Sequence, residues 1–298
     1  MKALLICPTT PPAVAHLAET QPFATVPMLG ENLVNHWIEY IVARGAREVT
    51  VLVTDRADQV RAVTGDGERW GIRVKIVSTG SELSVAEAIA RFQEVGEAHW
   101  LPAPNDVVRM THLPGSSDSP LLDSYAAWYS AVVAWMPSAL TPARVRMSEI
   151  RPGIWVGRRA RISSRAQLIA PCWIGDQVFV GPRAVVGPGA VVEDRTVIEV
   201  GAQVRQSYVG RDTFVGRMTS INHSIALGGT LIDCRTESAL RVPDPFLLCS
   251  LTRPLRAGGP GFFRRLVRGF RRWAGVPFGW TGAWVDRSAP SSNFKLPG

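Results

Sequence analysis

Aliphatic side chains recur at every sixth position in the second half of the chain. The pattern runs from Ile150 to Ile198, and the position two residues before each next aliphatic one is mostly small or β-branched. An α-helix has no reason to keep this spacing, whereas a parallel β-helix does, because each hexad supplies one short strand and a turn. The aliphatic positions are Ile150, Val156, Ile162, Leu168, Ile174, Val180, Val186, Val192 and Ile198.

The same period continues after one defect. The step from Val204 to Val209 is one position shorter than the others, and Val215, Ile221 and Leu227 then resume the step of six. The pattern predicts a solenoid of stacked coils that extends to about residue 232 and buries a continuous aliphatic core. A β-sandwich would instead show turn signals about 8 to 12 residues apart.

The first hundred residues follow a different pattern, in which apolar runs alternate with helical periodicity. Three strands are predicted, at residues 2–7, 48–53 and 72–77. Strands that alternate with helices indicate an α/β sheet wound by right-handed crossovers.

Three helices are predicted in this part of the chain. Leu33–Arg44 has a continuous apolar face and is followed by Gly45, a typical C-terminal stop. Asp55 is expected to cap a second helix, and Ser84 with Glu87 predicts a capping box for a third. The apolar face expected for the third helix consists of Val85, Ile89 and Phe92.

Composition indicates a soluble globular protein with room for two domains, since 46% of its 298 residues are hydrophobic and 19% are charged. The cysteines show no metal-ligand spacing and are expected to be reduced thiols in the cytoplasm. The apolar run that ends at Pro8 is too short for a signal peptide. The uncharged stretch 124–143 contains two prolines and is interpreted as beginning with a buried helix rather than as a membrane span.

Basic charge is concentrated at the end of the chain. Residues 251–298 contain nine basic residues and one acidic residue, which equals the formal charge of +8 of the whole protein. Within this tail, segment 261–275 predicts an amphipathic helix. One face carries Phe262, Phe263, Leu266, Val267, Phe270, Trp273 and Ala274, and the other carries Arg264, Arg265, Arg268, Arg271 and Arg272.

Two interpretations of this tail remain open. An aromatic apolar face opposite an arginine-rich face is typical of a helix that lies on an anionic membrane surface. The same face could cap the open end of the β-helix, which solenoids require for solubility. Nucleic acid is a weaker third candidate, because basic charge without a recognisable binding motif is poor evidence for it.

The N-terminal part resembles a known enzyme family. The run VPMLGENLVNHWIEYIVARGAREVTVLV, followed by GDGERWGIRVKIV, is similar to the first third of sugar-1-phosphate nucleotidyltransferases, which join a sugar phosphate to a nucleoside triphosphate and release pyrophosphate. Family members often carry a C-terminal left-handed β-helix. The resemblance covers about residues 1–100 and 150–250, and implies a Rossmann-like α/β domain followed by a left-handed β-helix of hexapeptide repeats.

The phosphate-binding loop departs from the family pattern. The family has a glycine-rich loop with an arginine and, further on, a Pro-Lys pair, because backbone N–H groups and two cations must hold the triphosphate. The corresponding residues 7–23, CPTTPPAVAHLAETQPF, contain no Gly, Arg or Lys, and Phe23 follows Pro22 where the family has lysine. Prolines lack the N–H that would bind phosphate.

The metal site and the sugar-binding half also depart from that pattern. Asp106, preceded by Asn105 instead of glycine, is the candidate for the family's metal-binding aspartate, although a solvated loop carboxylate would look the same. Only a short segment, 107–147, separates Asp106 from the β-helix, and Leu121–Met136 read as one helix within it. The sugar-binding half is therefore expected to be missing, and nucleotide transfer is expected to be lost.

Hexapeptide β-helices also serve as acyltransferases, in which a histidine acts as general base. His223 is the histidine of this solenoid, two residues after Ile221, at an outward or corner position. A surface histidine without a partner fits the same position. No long loop interrupts the coils to enclose an acceptor pocket.

Three hypotheses follow for a chain divided into an α/β domain (1–147), a β-helix (148–250) and a basic tail (251–298). The first is a non-catalytic, regulatory or scaffolding protein of sugar-nucleotide or cell-envelope polysaccharide synthesis. The second is an active nucleotidyltransferase, which would need Mg²⁺, whereas no cofactor is expected otherwise. The third is an acyltransferase that uses His223.

The expected partners are further copies of the chain or polysaccharide-biosynthesis enzymes, together with an anionic membrane surface for the tail. The expected location is cytoplasmic, with peripheral attachment at the inner face of the membrane if the tail binds lipid.

Overall fold

A computed structural model describes residues 1–93, 99–116, 120–140 and 147–252, and Met1–Thr252 form one compact unit. We call residues 1–140 the N-terminal part, and its described residues contain six strands and four α-helices. The strands are β1 (Lys2–Ile6), β2 (Pro27–Met28), β3 (Glu31–Asn32), β4 (Glu48–Val53), β5 (Arg73–Ser78) and β6 (Val107–Arg109). The helices are α1 (Leu33–Val42), α2 (Ala57–Thr64), α3 (Val85–Phe92) and α4 (Tyr125–Trp135), with short 3-10 turns at Pro12–Ala18, Phe23–Thr25, Glu68–Trp70 and Met136–Ala139.

A four-stranded parallel sheet in the order β5-β4-β1-β6 forms the centre of this part. Its strands are short runs of Val, Ile and Leu, and the central strand β1 is buried from Ala3 to Ile6, as expected when helices cover both faces of a parallel sheet. The predicted α/β fold with parallel strands is confirmed.

Helix α1 agrees with its prediction, since its apolar residues are buried and it ends just before Gly45, whose φ is 97°. The prediction that Asp55 caps the second helix was wrong. Arg56 is the N-cap of α2, in a left-handed conformation (φ 47°, ψ 48°), and no side chain caps this helix. Asp55 instead accepts a hydrogen bond from Nε of Arg56 at 2.6 Å.

Helix α3 has the predicted capping box, in which Ser84 and Glu87 exchange side-chain and backbone hydrogen bonds. The predicted apolar face packs on the core only in part, since Phe92 lies against a buried cluster. Val85 and Ile89 are 41% and 37% exposed, and Ala88 is the fully buried residue of this helix.

Three sheets with many short strands follow, and we call residues 147–252 the three-sheet region. Its first strands are β7 (Met147–Arg151), β8 (Ile154–Gly157), β9 (Arg161–Ile162), β10 (Gln167–Leu168), β11 (Cys172–Ile174), β12 (Phe179–Val180), β13 (Val185–Val186), β14 (Ala190–Val192) and β15 (Val197–Ile198). They continue with β16 (Gln203–Arg205), β17 (Ser207–Val209), β18 (Thr213–Val215), β19 (Ser220–Asn222), β20 (Ser224–Leu227), β21 (Thr230–Asp233), β22 (Ser238–Arg241) and β23 (Leu248–Ser250).

Successive strands from β8 to β20 enter the three sheets in turn, and each strand from β8 to β17 pairs in parallel with the strand three places further along the chain. The sheet orders are β10-β13-β16-β19, β23-β18-β15-β12-β9 and β22-β21-β20-β17-β14-β11-β8-β7. Aliphatic residues of all three sheets, such as Ile174, Val180 and Val186, pack together in one core. Each circuit of the chain through the three sheets is called a coil below.

The length of one coil changes along this region. Cys172 pairs with Ile154 and with Ala190. The coil from Ile154 to Cys172 and the coil from Cys172 to Ala190 therefore each span three full hexads. Val209 pairs with Val192 and with Ala226, so the next two coils are each one residue shorter. The expectation that the step of six resumes through Leu227 was therefore wrong. Ala226 takes the buried position in register with Val209, which gives a second shortened step.

The N-terminal part packs on an outward column of the longest sheet. Paired residues of successive coils form this column: Trp155, Trp173, Val191, Tyr208 and Ile225. All five belong to the same buried cluster as Phe23, Met28 and Trp128 of the N-terminal part. The ring of Trp128 meets that of Tyr208 edge-on at 4.7 Å between centroids, and the Tyr208 hydroxyl donates to the carbonyl of Pro27 at 2.7 Å. The two parts therefore share one core.

The four cysteines are free and buried. Burial raises the pKa of Cys172 and that of Cys234 to about 12, which favours the protonated thiols. None of the helices in the described ranges combines the length and the hydropathy that crossing a membrane requires. The predicted amphipathic segment 261–275 lies outside the described residues.

Candidate functional site

A cavity of about 690 Å³ opens at the carboxyl edge of the four-stranded sheet. Thr9 and Thr10 line it from the loop after β1, and Arg109, Thr111 and His112 line it from the end of β6. The crossovers run from β1 to β4 and β5 on one side, and then return to β6 on the other side of β1. The carboxyl ends of β1 and β6 thus form the topological switch point of the sheet, where open α/β sheets bind their ligands.

A carboxylate joins three segments at this edge. Glu82, in the loop between β5 and α3, accepts the backbone N–H of Thr9 at 2.7 Å. Its other oxygen accepts Nε of Arg109 at 2.6 Å and also contacts Nη2 of the same guanidinium. The Glu82 side chain is 17% exposed and that of Arg109 is 52% exposed, so the carboxylate is mostly buried and the guanidinium is half exposed to solvent.

His112 is held in the wall of the cavity by aromatic packing. Its ring meets Trp37 edge-on at 5.2 Å, and its carbonyl accepts Nε1 of Trp37 at 3.0 Å. Burial lowers the pKa of His112 below its ordinary value, which favours the neutral ring. Thr111, adjacent to this ring, also lines the cavity. Neutral groups of this kind can donate and accept hydrogen bonds with a polar, uncharged ligand.

The loop after β1 offers little to a phosphate group. Pro11 and Pro12 line the cavity without an N–H, and the amide of Thr9 already binds Glu82. Arg109 is the arginine of the described lining, and it is paired with the same carboxylate. With Glu82 and Asp123 in the wall, the described lining has no excess of positive charge.

The predicted metal ligand Asp106 does not line this cavity. It immediately precedes β6 and therefore lies at the amino edge of the sheet, about 10 Å of strand away from Arg109. Its carboxylate accepts Nε2 of Gln93 at 3.3 Å. Both oxygens of Glu82 are engaged, and no group of three or more possible metal-ligating side chains occurs in the described residues. The oxygens of Glu82 are therefore not free to hold a Mg²⁺ ion.

His223 lies in the three-sheet region, at a corner between β19 and β20, and not at the cavity. Its backbone is left-handed (φ 50°), and its N–H donates to the carbonyl of Arg205 at 3.3 Å. Gln206 and Gly189 also have positive φ at the matching corners of the preceding coils. Nδ1 of His223 is buried without a hydrogen-bond partner. The structure does not bring His223 together with Asp106 at one site.

The sequence identified the loop 7–23 as the counterpart of the family's phosphate-binding loop, but it named none of the residues around the cavity as site residues. Glu82 and Thr9 are 73 residues apart and belong to no motif. A usable signal was the position of polar residues just after the strands, since carboxyl ends of parallel strands meet at one edge. The tail residues predicted to touch a membrane lie outside the described residues; they are Phe262, Phe263, Arg264, Arg265, Leu266, Arg268, Phe270, Arg271, Arg272 and Trp273.

Comparison with known proteins gives limited support for a family relationship. No protein-family model matches the chain. A glucose-1-phosphate thymidylyltransferase from Streptomyces griseus is 29% identical over 89 residues, which cover 30% of this chain and 25% of that protein. The chain thus matches a quarter of the length of this relative. The match supports a nucleotidyltransferase-like relationship for part of the chain.

Proposed function

We propose that the protein is a nucleotidyltransferase-like binding or scaffold protein of sugar-nucleotide or cell-envelope polysaccharide synthesis that does not itself transfer nucleotides. One observation carries the proposal. The cavity lies at the ligand-binding switch point of the sheet, while its one described arginine and the Thr9 amide are both held by Glu82.

The cavity suits a sugar better than a triphosphate. A sugar presents hydroxyls, which can pair with Thr9, Thr111 and the neutral ring of His112. A triphosphate needs several free N–H groups and cations, whereas the prolines of this loop lack an N–H, its Thr9 amide binds Glu82, and residues 7–23 contain no Lys or Arg. The glucose-containing substrate named for the Streptomyces griseus relative makes glucose 1-phosphate and thymidine diphosphate-glucose the first ligands to try.

We also propose that the three-sheet region is a left-handed β-helix of hexapeptide repeats. The pairing of Cys172 with both Ile154 and Ala190, together with the shared aliphatic core, supports this assignment, because three hexads then make one coil. Such a scaffold offers long flat faces, so further copies of the chain or polysaccharide-synthesis enzymes are the proposed partners. The tail is proposed to attach the protein to an anionic membrane surface on the cytoplasmic side.

Thermal stability with added ligand tests the binding proposal, because a ligand that binds only the native state raises its apparent stability. We expect thymidine diphosphate-glucose or another sugar nucleotide to raise the melting temperature. The shift should shrink in Thr111→Val, which removes one hydroxyl from the cavity wall with little change of shape. The matched control Thr236→Val lies on an exposed turn of the three-sheet region and should leave the shift unchanged. A panel of sugar nucleotides and sugar 1-phosphates without any shift would contradict the proposal.

A further inference from the structure

We propose that the Thr9 amide and the Arg109 guanidinium form an oxyanion site, and that the Glu82 carboxylate occupies it in place of a phosphate group. The inference rests on the proposed function only in that both concern the cavity at the carboxyl edge of the sheet. The ligand class is a phosphate monoester or pyrophosphate, which would enter where Glu82 is absent or displaced.

The hydrogen bonds to Glu82 are those that would hold a phosphate. Thr9 donates a backbone N–H to one oxygen at 2.7 Å, and Arg109 directs Nε to the other at 2.6 Å, with Nη2 in contact as well. A backbone amide combined with the planar fork of an arginine is the donor set that binds carboxylate and phosphate oxygens alike.

The position of Glu82 separates it from an ordinary surface ion pair. An ordinary surface ion pair joins two exposed side chains. Glu82 is mostly buried, and it accepts a backbone amide of the loop after β1 in addition to the guanidinium of Arg109. Arg109 remains half exposed and lines the cavity, so its guanidinium is accessible to a ligand. Removal of the carboxylate would leave a cation and an unpaired amide pointing at the same place.

The charge of the cavity changes with Glu82. The charged side chains of the described lining are Glu82, Arg109 and Asp123. Without Glu82, Arg109 loses its bound counter-charge, and the fork becomes free for an oxyanion. Glu82 therefore acts as a built-in competitor, and a phosphate-bearing ligand of the wild-type protein must displace it.

Calorimetric titration of pyrophosphate into the full-length protein at low salt tests the assignment. We expect Glu82→Ala to bind pyrophosphate about tenfold more tightly than the wild type, or better, because a charge-assisted hydrogen-bond set becomes available. The double variant Glu82→Ala/Arg109→Ala should return to the wild-type affinity. The arginine-rich tail can also bind pyrophosphate, but it is the same in every variant. The test is therefore the difference in affinity between Glu82→Ala and Glu82→Ala/Arg109→Ala.

Asp58→Ala is the matched control. Asp58 pairs with Arg61 at 2.9 Å on the surface of α2, so its loss also frees one arginine, but outside any described cavity. This variant should bind pyrophosphate as the wild type does. Glu82→Gln keeps the side-chain volume and should show a smaller gain than Glu82→Ala, and it serves if the alanine variant does not fold.

Two results would overturn the proposal. The first is that neither Glu82 variant gains affinity for pyrophosphate. The second is that the gain persists after Arg109→Ala. A failure of the sugar-nucleotide experiment would leave these titrations unaffected, because they use pyrophosphate alone and compare variants of one residue pair.

Discussion

The carboxylate of Glu193 accepts the backbone N–H of Gly30 at 3.0 Å, and its second oxygen accepts that of Leu29 at 2.5 Å. Glu193 is fully buried between the three-sheet region and the turn that joins β2 to β3. Both residues of this turn have positive φ, 51° and 84°, which directs their amides to the same side. The carboxylate thus fixes the N-terminal part to the three-sheet region at one defined point.

Replacement of Glu193 by alanine should destabilise the protein by about 1–3 kcal/mol, because two amides would lose their acceptor in a buried place. The matched control is Glu237→Ala. Glu237 accepts the amides of Tyr125 and Ala126 in the same two-oxygen manner, but it is exposed, so water can replace it. Urea denaturation should give the larger loss for Glu193→Ala. Equal losses would show that burial of the Glu193 contact has no energetic importance.

The stability of the wild type should fall relative to Glu193→Gln as the pH rises from 5 to 8. Burial, the largest cause, together with the nearby Asp194 raises the pKa of Glu193 to about 7, although Arg211 and the amides of Leu29 and Gly30 act in the opposite direction. The native state therefore holds a proton that the unfolded state releases near pH 4.3, roughly the ordinary glutamate value. The stabilising effect of this proton is complete below that value and is lost as the pH rises through about 7.

Urea denaturation of both proteins at several pH values measures this difference. Asp194 also has a raised pKa, chiefly through burial, and is present in both proteins, so the comparison isolates position 193. A constant difference in the free energy of unfolding between pH 5 and pH 8 would contradict the burial argument.

Trp173→Ala should cost about 3–5 kcal/mol, because this ring is fully buried in the cluster shared by the two parts of the chain. Leu240→Ala serves as the control, since Leu240 lies in the same sheet but is 64% exposed, and its loss should cost little.

Residues 1–252 of the wild type are expected to unfold on heating in one cooperative transition, because the two parts share one core. Two separate transitions within this unit would argue against a common core.

Much of the strand pattern could be predicted because it depends on local periodicity. The strand 48–53, the end of α1 near Gly45 and the Ser84–Glu87 capping box follow from residues that are neighbours in the chain. The predicted cap at Asp55 failed because the left-handed backbone of Arg56 starts α2 instead. The burial of Val85 and Ile89 could not be judged from the helix alone, since it depends on what packs against it.

Contacts between distant segments carried weak sequence signals. Glu193 stands where the matching position of other coils is glycine, namely Gly157, Gly175 and Gly210. This exception to the repeat could have indicated a special contact, but not its partner at Leu29–Gly30. The Glu82–Arg109 pair has no such break in a repeat, because it arises where two loops meet the end of β6 at the sheet edge.

Full-length protein is expected to sediment with vesicles that contain phosphatidylserine and to bind neutral vesicles far less. The predicted helix at 261–275 presents five arginines, whose attraction to anionic lipid weakens as salt screens it. Arg264→Glu/Arg268→Glu should reduce binding strongly. The charge-matched control Arg61→Glu/Arg91→Glu changes two exposed residues of the N-terminal part and should reduce it little. Equal binding by both variants would contradict a membrane role for the tail.

The most direct test of the central claim is pyrophosphate release from thymidine triphosphate and other nucleoside triphosphates with glucose 1-phosphate, related sugar 1-phosphates and Mg²⁺. The loop after β1 lacks free cations, and Glu82 occupies the Thr9 amide and Arg109. We therefore expect no release above the background without protein. Turnover by the wild type that disappears in Arg109→Ala or in Asp106→Ala would contradict this claim and identify the protein as an active nucleotidyltransferase.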